Sequence, residues 1–380
     1  MAKAFGGLGV TTGVAADRTG ITSPFLGQQF YDTETDEYLK YVTDGGTNRW
    51  MQAELKPNRN TIINGGFDVW QRGTSIASPG SGITTYSADR WRFGNNGASA
   101  YTVSRVSNSS PLNTVYAFRI TCNNGAIGSN GIEYFTEYLD TVRLRGKYLT
   151  VSFWIRGSAT FSGASGLGIN TGTNTNDSAP GVGNGQTGGV SIMSSSVNIT
   201  TSWQKVVVTS SSVVAANAGM LRLTMPKPSM ATSAWFEITG VQLEVGTASS
   251  EFEFREFGDE LRRCQRYYCK SYPQGVYYGL RIDDAAREGG EIFITTNASS
   301  IGSIRALFPV EMRTTPAVDM SSWDVNTLGV ANGGSFTAHQ PSVGNRTCTM
   351  IYKSSTGIIT QCTSIANAIV FFAYQAGAEL

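Results

Sequence analysis

Thr150-Val151-Ser152-Phe153-Trp154-Ile155-Arg156 sets Val151, Phe153 and Ile155 on one side of an extended chain and Thr150, Ser152, Trp154 and Arg156 on the other, because successive strand side chains point to opposite faces. One apolar face and one polar face describe a strand laid over a core. Two further stretches alternate in the same way: Tyr116, Phe118 and Ile120 against Arg119 and Thr121, and Leu221, Leu223 and Met225 against Arg222 and Thr224. Around them, strand signals recur across 59–255, at 61–69, 101–106, 115–122, 132–139, 148–156, 190–193, 203–208, 220–225 and 235–245. Gly-, Asn- and Ser-rich turns separate them, and no crossover helix intervenes. This series predicts an all-β antiparallel sandwich, a jelly roll. The stretch 161–189, nearly free of large apolar residues, reads as a long surface loop.

The flanks divide into three further segments. Phe257, Leu261, Cys264 and Tyr268 fall at helical spacing, behind Asp259 and Glu260 and among Arg262, Arg263 and Arg266, which predicts one amphipathic connecting helix over 256–272. After Pro273, strands at 291–295, 304–308, 347–352, 357–362 and 368–374 predict a smaller C-terminal β-domain over 273–380. Residues 1–58 read as a β-hairpin arm, with strand-like runs at 27–32 and 38–42 and a turn at Asp44-Gly45-Gly46-Thr47-Asn48. So small a sheet is marginal in water and needs a partner surface. An attachment segment is the expected role.

Composition narrows the function. Of 380 residues 40% are apolar, enough for more than one core, and 15% are charged, below the roughly 25% of ordinary soluble domains. The net charge of +1 excludes a polyanion-binding surface driven by bulk charge and a charge-rich disordered chain. Forty-four glycines beside abundant β-branched and aromatic residues suit short strands and many turns. No secretory h-region opens the chain, and the longest apolar run, 368–374, is too short to span a bilayer. The five cysteines are odd in number and dispersed, and Cys264 and Cys269 do not make a zinc-ribbon pair. All five are expected to be reduced thiols made in a cytoplasm.

The motif search works mostly by exclusion. The glycines of 6–13 lack the Gly-Lys-Ser/Thr end of a phosphate loop. Asp32, Glu34 and Asp36 open like a calcium loop, but Glu37 stands where the turn needs Gly. The single histidine, His339, has no nucleophile motif beside it, and Asp283-Asp284 point to opposite faces of any strand. No catalytic residue, metal ligand or cofactor is expected.

Asn64-Gly65-Gly66-Phe67-Asp68-Val69-Trp70-Gln71-Arg72-Gly73-Thr74-Ser75 and Tyr86-Ser87-Ala88-Asp89-Arg90-Trp91 resemble the opening of a set of bacteriophage tail-fibre and virion structural proteins. The resemblance continues, in order, through Leu149 to Gly157, Trp203-Gln204-Lys205, Val241 to Gly246 and Gly258 to Tyr268, about half the chain. Residues 27–50 and 308–316 are similar to other fibre segments. The resemblance implies a carbohydrate-binding-module-like jelly roll in a homotrimeric virion tail appendage, synthesised in the bacterial host cytoplasm. It would be held to another phage tail or virion protein through residues 1–58 and would recognise host cell-surface polysaccharide. It implies neither nucleic-acid binding nor membrane insertion, and it makes Trp70, Trp91 and Trp203 structural anchors. The alternatives are a purely structural virion component, such as a head fibre, collar or decoration protein, and a glycan depolymerase, which lacks the repeated β-helix of tailspikes.

If the three alternating strands share a sheet, Trp154, Arg156, Arg119 and Arg222 form an outward glycan site, a sugar ring on Trp154 and acidic substituents on the arginines. The alternative receptor loops are those of the C-terminal domain around Tyr277, Tyr278 and Trp323. A trimer is expected to place the 256–272 helix near its axis, because Tyr267, Tyr268 and Tyr272 read as exposed.

Overall fold

The computed structural model describes residues 3–5, 10–53, 57–77, 83–95, 100–124, 131–175, 179, 186–272, 274, 292–295, 301–322, 335–340, 344–363 and 369–379. The fold is all-β, as the alternating patterns predict. The N-terminal region comprises β1 (Lys3–Phe5), β2 (Val10–Gly13), a short helix α1 (Ala15–Thr19), β3 (Gln29–Asp32), β4 (Glu37–Asp44) and β5 (Thr47–Gln52), with the strands in sequential order in one sheet. Gly45 and Gly46, at φ +57° and +77°, make the two-residue turn between β4 and β5, where both positions need positive φ. The sheet does not stand alone. Phe30 and Leu39 are buried with Ala248. The Gln52 backbone N–H donates to Ser249 O at 3.0 Å, and its amide donates to Val245 O and Ala248 O. The partner surface that so small a sheet requires is therefore supplied by the chain itself.

The sandwich follows: β6 (Ser75–Ala77), β7 (Ile83–Tyr86), β8 (Arg92–Asn95), β9 (Ala100–Ser107), β10 (Tyr116–Asn124), β11 (Gly131–Phe135), α2 (Tyr138–Leu144), β12 (Leu149–Gly157), β13 (Phe161–Gly172), β14 (Val190–Ile199), β15 (Gln204–Thr209), β16 (Met220–Thr224) and β17 (Trp235–Val245). One sheet runs β15-β12-β17-β10-β9-β6 and the other β14-β13-β16-β11-β8-β7. Between them lies one large core that includes Val151, Phe153 and Ile155 from the first sheet and Leu221, Leu223 and Tyr134 from the second. Burying each such side chain contributes about 1.5–3 kcal/mol.

Several expectations are corrected here. Residues 61–69 are not a strand but a plug at the end of the sandwich. Asn64 and Phe67 adopt positive φ, the Asn64 amide donates to Val69 O and Asp89 O, and Ile62 and Phe67 fill the core. Gly65 lies so close to the carbonyl of Val241 that any Cβ would collide with it. The predicted loop at 161–189 begins with the twelve-residue β13, whose Phe161, Ala164, Leu167 and Ile169 are buried. Its small residues fit close pairing, with Gly168 against the backbone of Met193. Residues 132–139 are a strand only to Phe135; Glu137 then opens α2.

The connecting helix is α3 (Phe257–Gln265), shorter than 256–272. Tyr268-Cys269-Lys270 that follows is β18, paired with the end of the chain. Tyr267, Tyr268 and Tyr272 are buried, which removes the observation that placed this segment on a trimer axis. The C-terminal sheet comprises β18 (Tyr268–Lys270), β19 (Ile292–Thr295), β20 (Ile301–Leu307), β21 (Ala317–Ser322), β22 (Ser335–Gln340), β23 (Gly344–Ser354), β24 (Gly357–Thr363) and β25 (Ile369–Gly377). It is pinned to the sandwich by Glu379, which takes Arg72 at 3.1 Å and Arg90 at 2.7 Å, while the Arg90 guanidinium lies 3.5 Å over the Tyr267 ring. The five cysteines are not all thiols. The register of β23 on β24 sets Cys348 opposite Cys362, and the two form a disulfide; Cys122, Cys264 and Cys269 are free and buried. Dispersed spacing in sequence concealed a pair that a hairpin brings together.

Candidate functional site

β17 is the central strand from which the site is built. Its alternation sends Phe236 and Ile238 into the core and Trp235, Glu237 and Thr239 outward. Register then places Arg119 of β10 and Arg156 of β12 on either side of Glu237. Glu237 is fully buried. It accepts Arg119 Nε at 2.8 Å and Nη2 on one carboxylate oxygen and Arg156 Nε at 2.6 Å on the other. A carboxylate at zero exposure is tolerable only when its charge is matched and its lone pairs are used. Here two guanidiniums do both.

The arginines also lie against tryptophans. The Arg119 guanidinium carbon sits 4.4 Å from the Trp235 ring centre; that of Arg156 sits 4.9 Å from Trp203 and 5.5 Å from Trp235. The order along the surface is Trp203, Arg156, Trp235, Arg119. Both tryptophans are half-buried, and the arginine side chains remain 25–30% exposed. Trp203 is fixed from behind by its indole N–H, which donates to Ser109 Oγ at 3.2 Å. With one carboxylate between two guanidiniums, the strip carries one excess positive charge. Nη1 of Arg119 and both Nη groups of Arg156 have no partner among the described residues.

Two of the four expected residues are thus brought together and two are not. Trp154 does point outward on β12, opposite Lys205 and Thr239, but it is only 9% exposed. The Gly45 turn of the N-terminal sheet lies on it, close enough that a Cβ at Gly45 would stand 3.5 Å from Trp154 Cη2. Asp44 of the same turn holds Lys205 at 2.7 Å. On the other side Gly240, at φ +62°, forms a bulge against which Leu112 packs. Trp154 is a docking residue for the N-terminal sheet, with no face left for a sugar. Arg222 belongs to the other sheet altogether. There it and Arg92 flank Glu133, with Arg92 Nε at 3.0 Å.

That second arrangement is closed over Arg92, while the Arg222 side chain stays 20% exposed. Arg92 and Phe135 are buried, and the Arg92 guanidinium lies 4.6 Å from the Phe135 ring. Trp203, expected to be a structural anchor like the core residues Trp70 and Trp91, lies instead on the open strip. Trp235 and Glu237 were missed, although the alternation of 235–245 already placed them on one outward face. Tyr277, Tyr278 and Trp323 lie outside the described residues. So does Asp283-Asp284. Among the described residues no group of three or more His, Cys, Asp and Glu side chains could hold a metal ion, and no helix is long and apolar enough to cross a membrane.

The strip offers two kinds of group. Indole faces accept the apolar side of a sugar ring, and open guanidinium N–H groups pair with carboxylate or sulfate substituents. Glu237 pre-orients both arginines, so little side-chain freedom remains to be lost on binding.

No family model and no curated protein matches the chain. Among solved structures, it is similar to a family 4 carbohydrate-binding module at 13% identity, over 49% of this chain and all of that one, with a TM-score of 0.29. It is similar to the family 11 module of a cellulosomal cellulase from Clostridium thermocellum at 12% identity, over 50% of this chain and 96% of that one, TM-score 0.28. A family 61 module in complex with β-1,4-galactotriose matches at 12% identity, over 50% of this chain and all of that one, TM-score 0.24.

Proposed function

We propose that this chain is a bacteriophage tail-fibre or receptor-binding virion protein, a homotrimer, whose sandwich recognises an anionic glycan of the host surface through Trp203, Arg156, Trp235 and Arg119. The observation that carries the glycan reading is the open Trp–Arg strip held on buried Glu237. The order of sequence words from Asn64 to Tyr268 supports the virion reading. Attachment to another virion protein through residues 1–58 draws support from Phe25 and Leu26, in the loop before β3, which stay 65% and 58% exposed while Phe30 and Leu39 of the sheet are buried against Ala248.

The test uses the full chain. Gold-labelled antibody should mark a tail appendage on intact particles, and soluble protein should compete with particles for adsorption to host cells. Label confined to the head, with no competition, would favour the purely structural alternative. Light scattering should return three times the 40.7 kDa chain mass; any other mass would contradict the trimer.

A further inference from the structure

A cleft of about 790 Å³ opens where the N-terminal sheet meets the sandwich, within the size range of ligand sites, about 300–1,000 Å³. It lies apart from the Trp–Arg strip and shares no residue with it. The N-terminal sheet contributes the β3–β4 turn, with Glu34, Asp36 and Tyr38; the sandwich contributes Arg143, Lys147 and Tyr148 from the α2–β12 connection. On one side the two bodies are knitted together: Glu37 accepts the backbone N–H of Thr247 at 3.2 Å and its hydroxyl at 3.0 Å, and the Gln52 amide donates to Val245 O at 3.0 Å. Toward the mouth the knitting stops. The carboxylate of Glu34 and the ammonium of Lys147 have no partner among the described residues, nor have the phenol groups of Tyr38 and Tyr148. Arg143 reaches only its own-helix neighbour Asp140, at 3.8 Å. Val213 and Val245, 39% and 42% exposed, add apolar patches to the same cleft.

Glu34 and Asp36 on one body, and Arg143 and Lys147 with Asp140 on the other, give the cleft a mixed lining that restricts what fits, although Asp36 also accepts the Tyr31 hydroxyl. An anion brought to Arg143 and Lys147 meets Glu34 and Asp36, and a cation meets the reverse. A sugar hydroxyl is donor and acceptor at once, so a neutral polyol can give hydrogen bonds to the carboxylates and accept them from the cations. The two tyrosine rings and the valines offer apolar contact for ring C–H faces.

We infer that this cleft is a second glycan subsite, selective for neutral oligosaccharide, and that both the N-terminal sheet and the sandwich hold its ligand. The inference rests on the glycan reading of the sandwich and separates the two sites by charge. A ligand gripped by both bodies stabilises the docked arrangement over the undocked one. The N-terminal sheet is thereby a sensor of the bound glycan as well as part of the site.

The experiment is calorimetric titration of the full chain with short neutral β-1,4-glucan, β-1,4-galactan and α-1,4-glucan oligosaccharides, and in parallel with a polyuronate. Amide exchange across residues 29–52 is followed in both series. At least one neutral series should bind and slow exchange in β3–β5, and Arg143→Ala with Lys147→Ala, both at exposed positions, should weaken it roughly tenfold or more, the loss of one or two good hydrogen bonds. If no neutral series binds while the polyuronate does, this inference fails and the glycan reading stands. Neutral binding that the double variant does not weaken, or that leaves exchange in β3–β5 unchanged, also overturns it. If neither ligand class binds, both readings fall.

Discussion

On one sheet of the sandwich Glu237 lies between Arg119 and Arg156; on the other Glu133 lies between Arg92 and Arg222. Each ladder has a central acid with one base on each neighbouring strand, but Arg222 stands opposite Phe135 and reaches Glu133 diagonally, whereas the other three arginines stand directly opposite their acids. They differ in what covers them. At Glu133 the side chain of Arg92 is 5% exposed, that of Arg222 is 20% exposed, and the aromatic partner Phe135 is buried. At Glu237 both arginines keep a quarter or more of their surface in solvent, beside half-buried Trp203 and Trp235. A buried ladder fixes strand register. An open one fixes register and also presents donors.

The comparison predicts unequal costs when the acids are removed. Glu133→Ala strands the buried Arg92 charge and should destabilise the fold by about 3–5 kcal/mol. Glu237→Ala frees two arginines that can turn into water, so roughly 1–2 kcal/mol is expected, closer to the loss of charge-assisted hydrogen bonds. Urea denaturation of the two variants measures the difference. Equal losses would mean that the Glu237 arginines are as enclosed as Arg92.

The covered end of the Glu237 face sharpens the contrast further. Glu244, on the same strand and face, lies beneath the 245–253 segment and accepts the hydroxyl of Ser250 at 2.8 Å. Burial pushes its carboxyl up to about 7, against the opposing pull of Ser250, Arg59 and Gln242. Its folded pKa is above its unfolded value, so the folded state binds the extra proton. The associated stability is present in full below about pH 4.5 and is lost as pH rises through 7. The expected loss is on the order of 3 kcal/mol, and Glu244→Gln should remove that contribution to the slope between pH 4.5 and 8. An unchanged slope would assign it to another buried carboxyl, such as Asp89, which burial raises to about 7 beside Arg72.

A smaller effect is expected where the N-terminal sheet covers this face. Lys205→Ala breaks a largely buried contact to Asp44 over Trp154. It should cost about 1 kcal/mol and speed amide exchange in β4 and β5. Unaltered exchange would show that Phe30, Leu39 and Ala248 hold the sheet without help.

Strand alternation made the fold class and the pair Arg119–Arg156 legible, because period two fixes which side chains leave the core. It could not say which strands become neighbours. Arg222 shows this: its outward direction was read correctly, and its sheet was not. Nor could alternation reveal cover. Trp154 is buried by Gly45 and by the bulge at Gly240 with Leu112, residues remote in sequence from it and from one another. β13 escaped because its exposed positions are Gly, Ser and Asn, the same residues that mark turns. Cys348 and Cys362 escaped because only the β23–β24 register shows them to be opposite.

On the proposed function the Glu237 ladder is the binding face and the Glu133 ladder is not. The direct measurement is titration of the full chain with a polyuronate and with neutral dextran at two salt concentrations, for the parent, Trp203→Ala with Trp235→Ala, and Arg222→Lys. The account predicts polyuronate binding that weakens with salt, a loss of roughly ten- to hundredfold in the double tryptophan variant, about 1–3 kcal/mol, and no change in Arg222→Lys. Full affinity in a folded double tryptophan variant, or loss in Arg222→Lys alone, would contradict it.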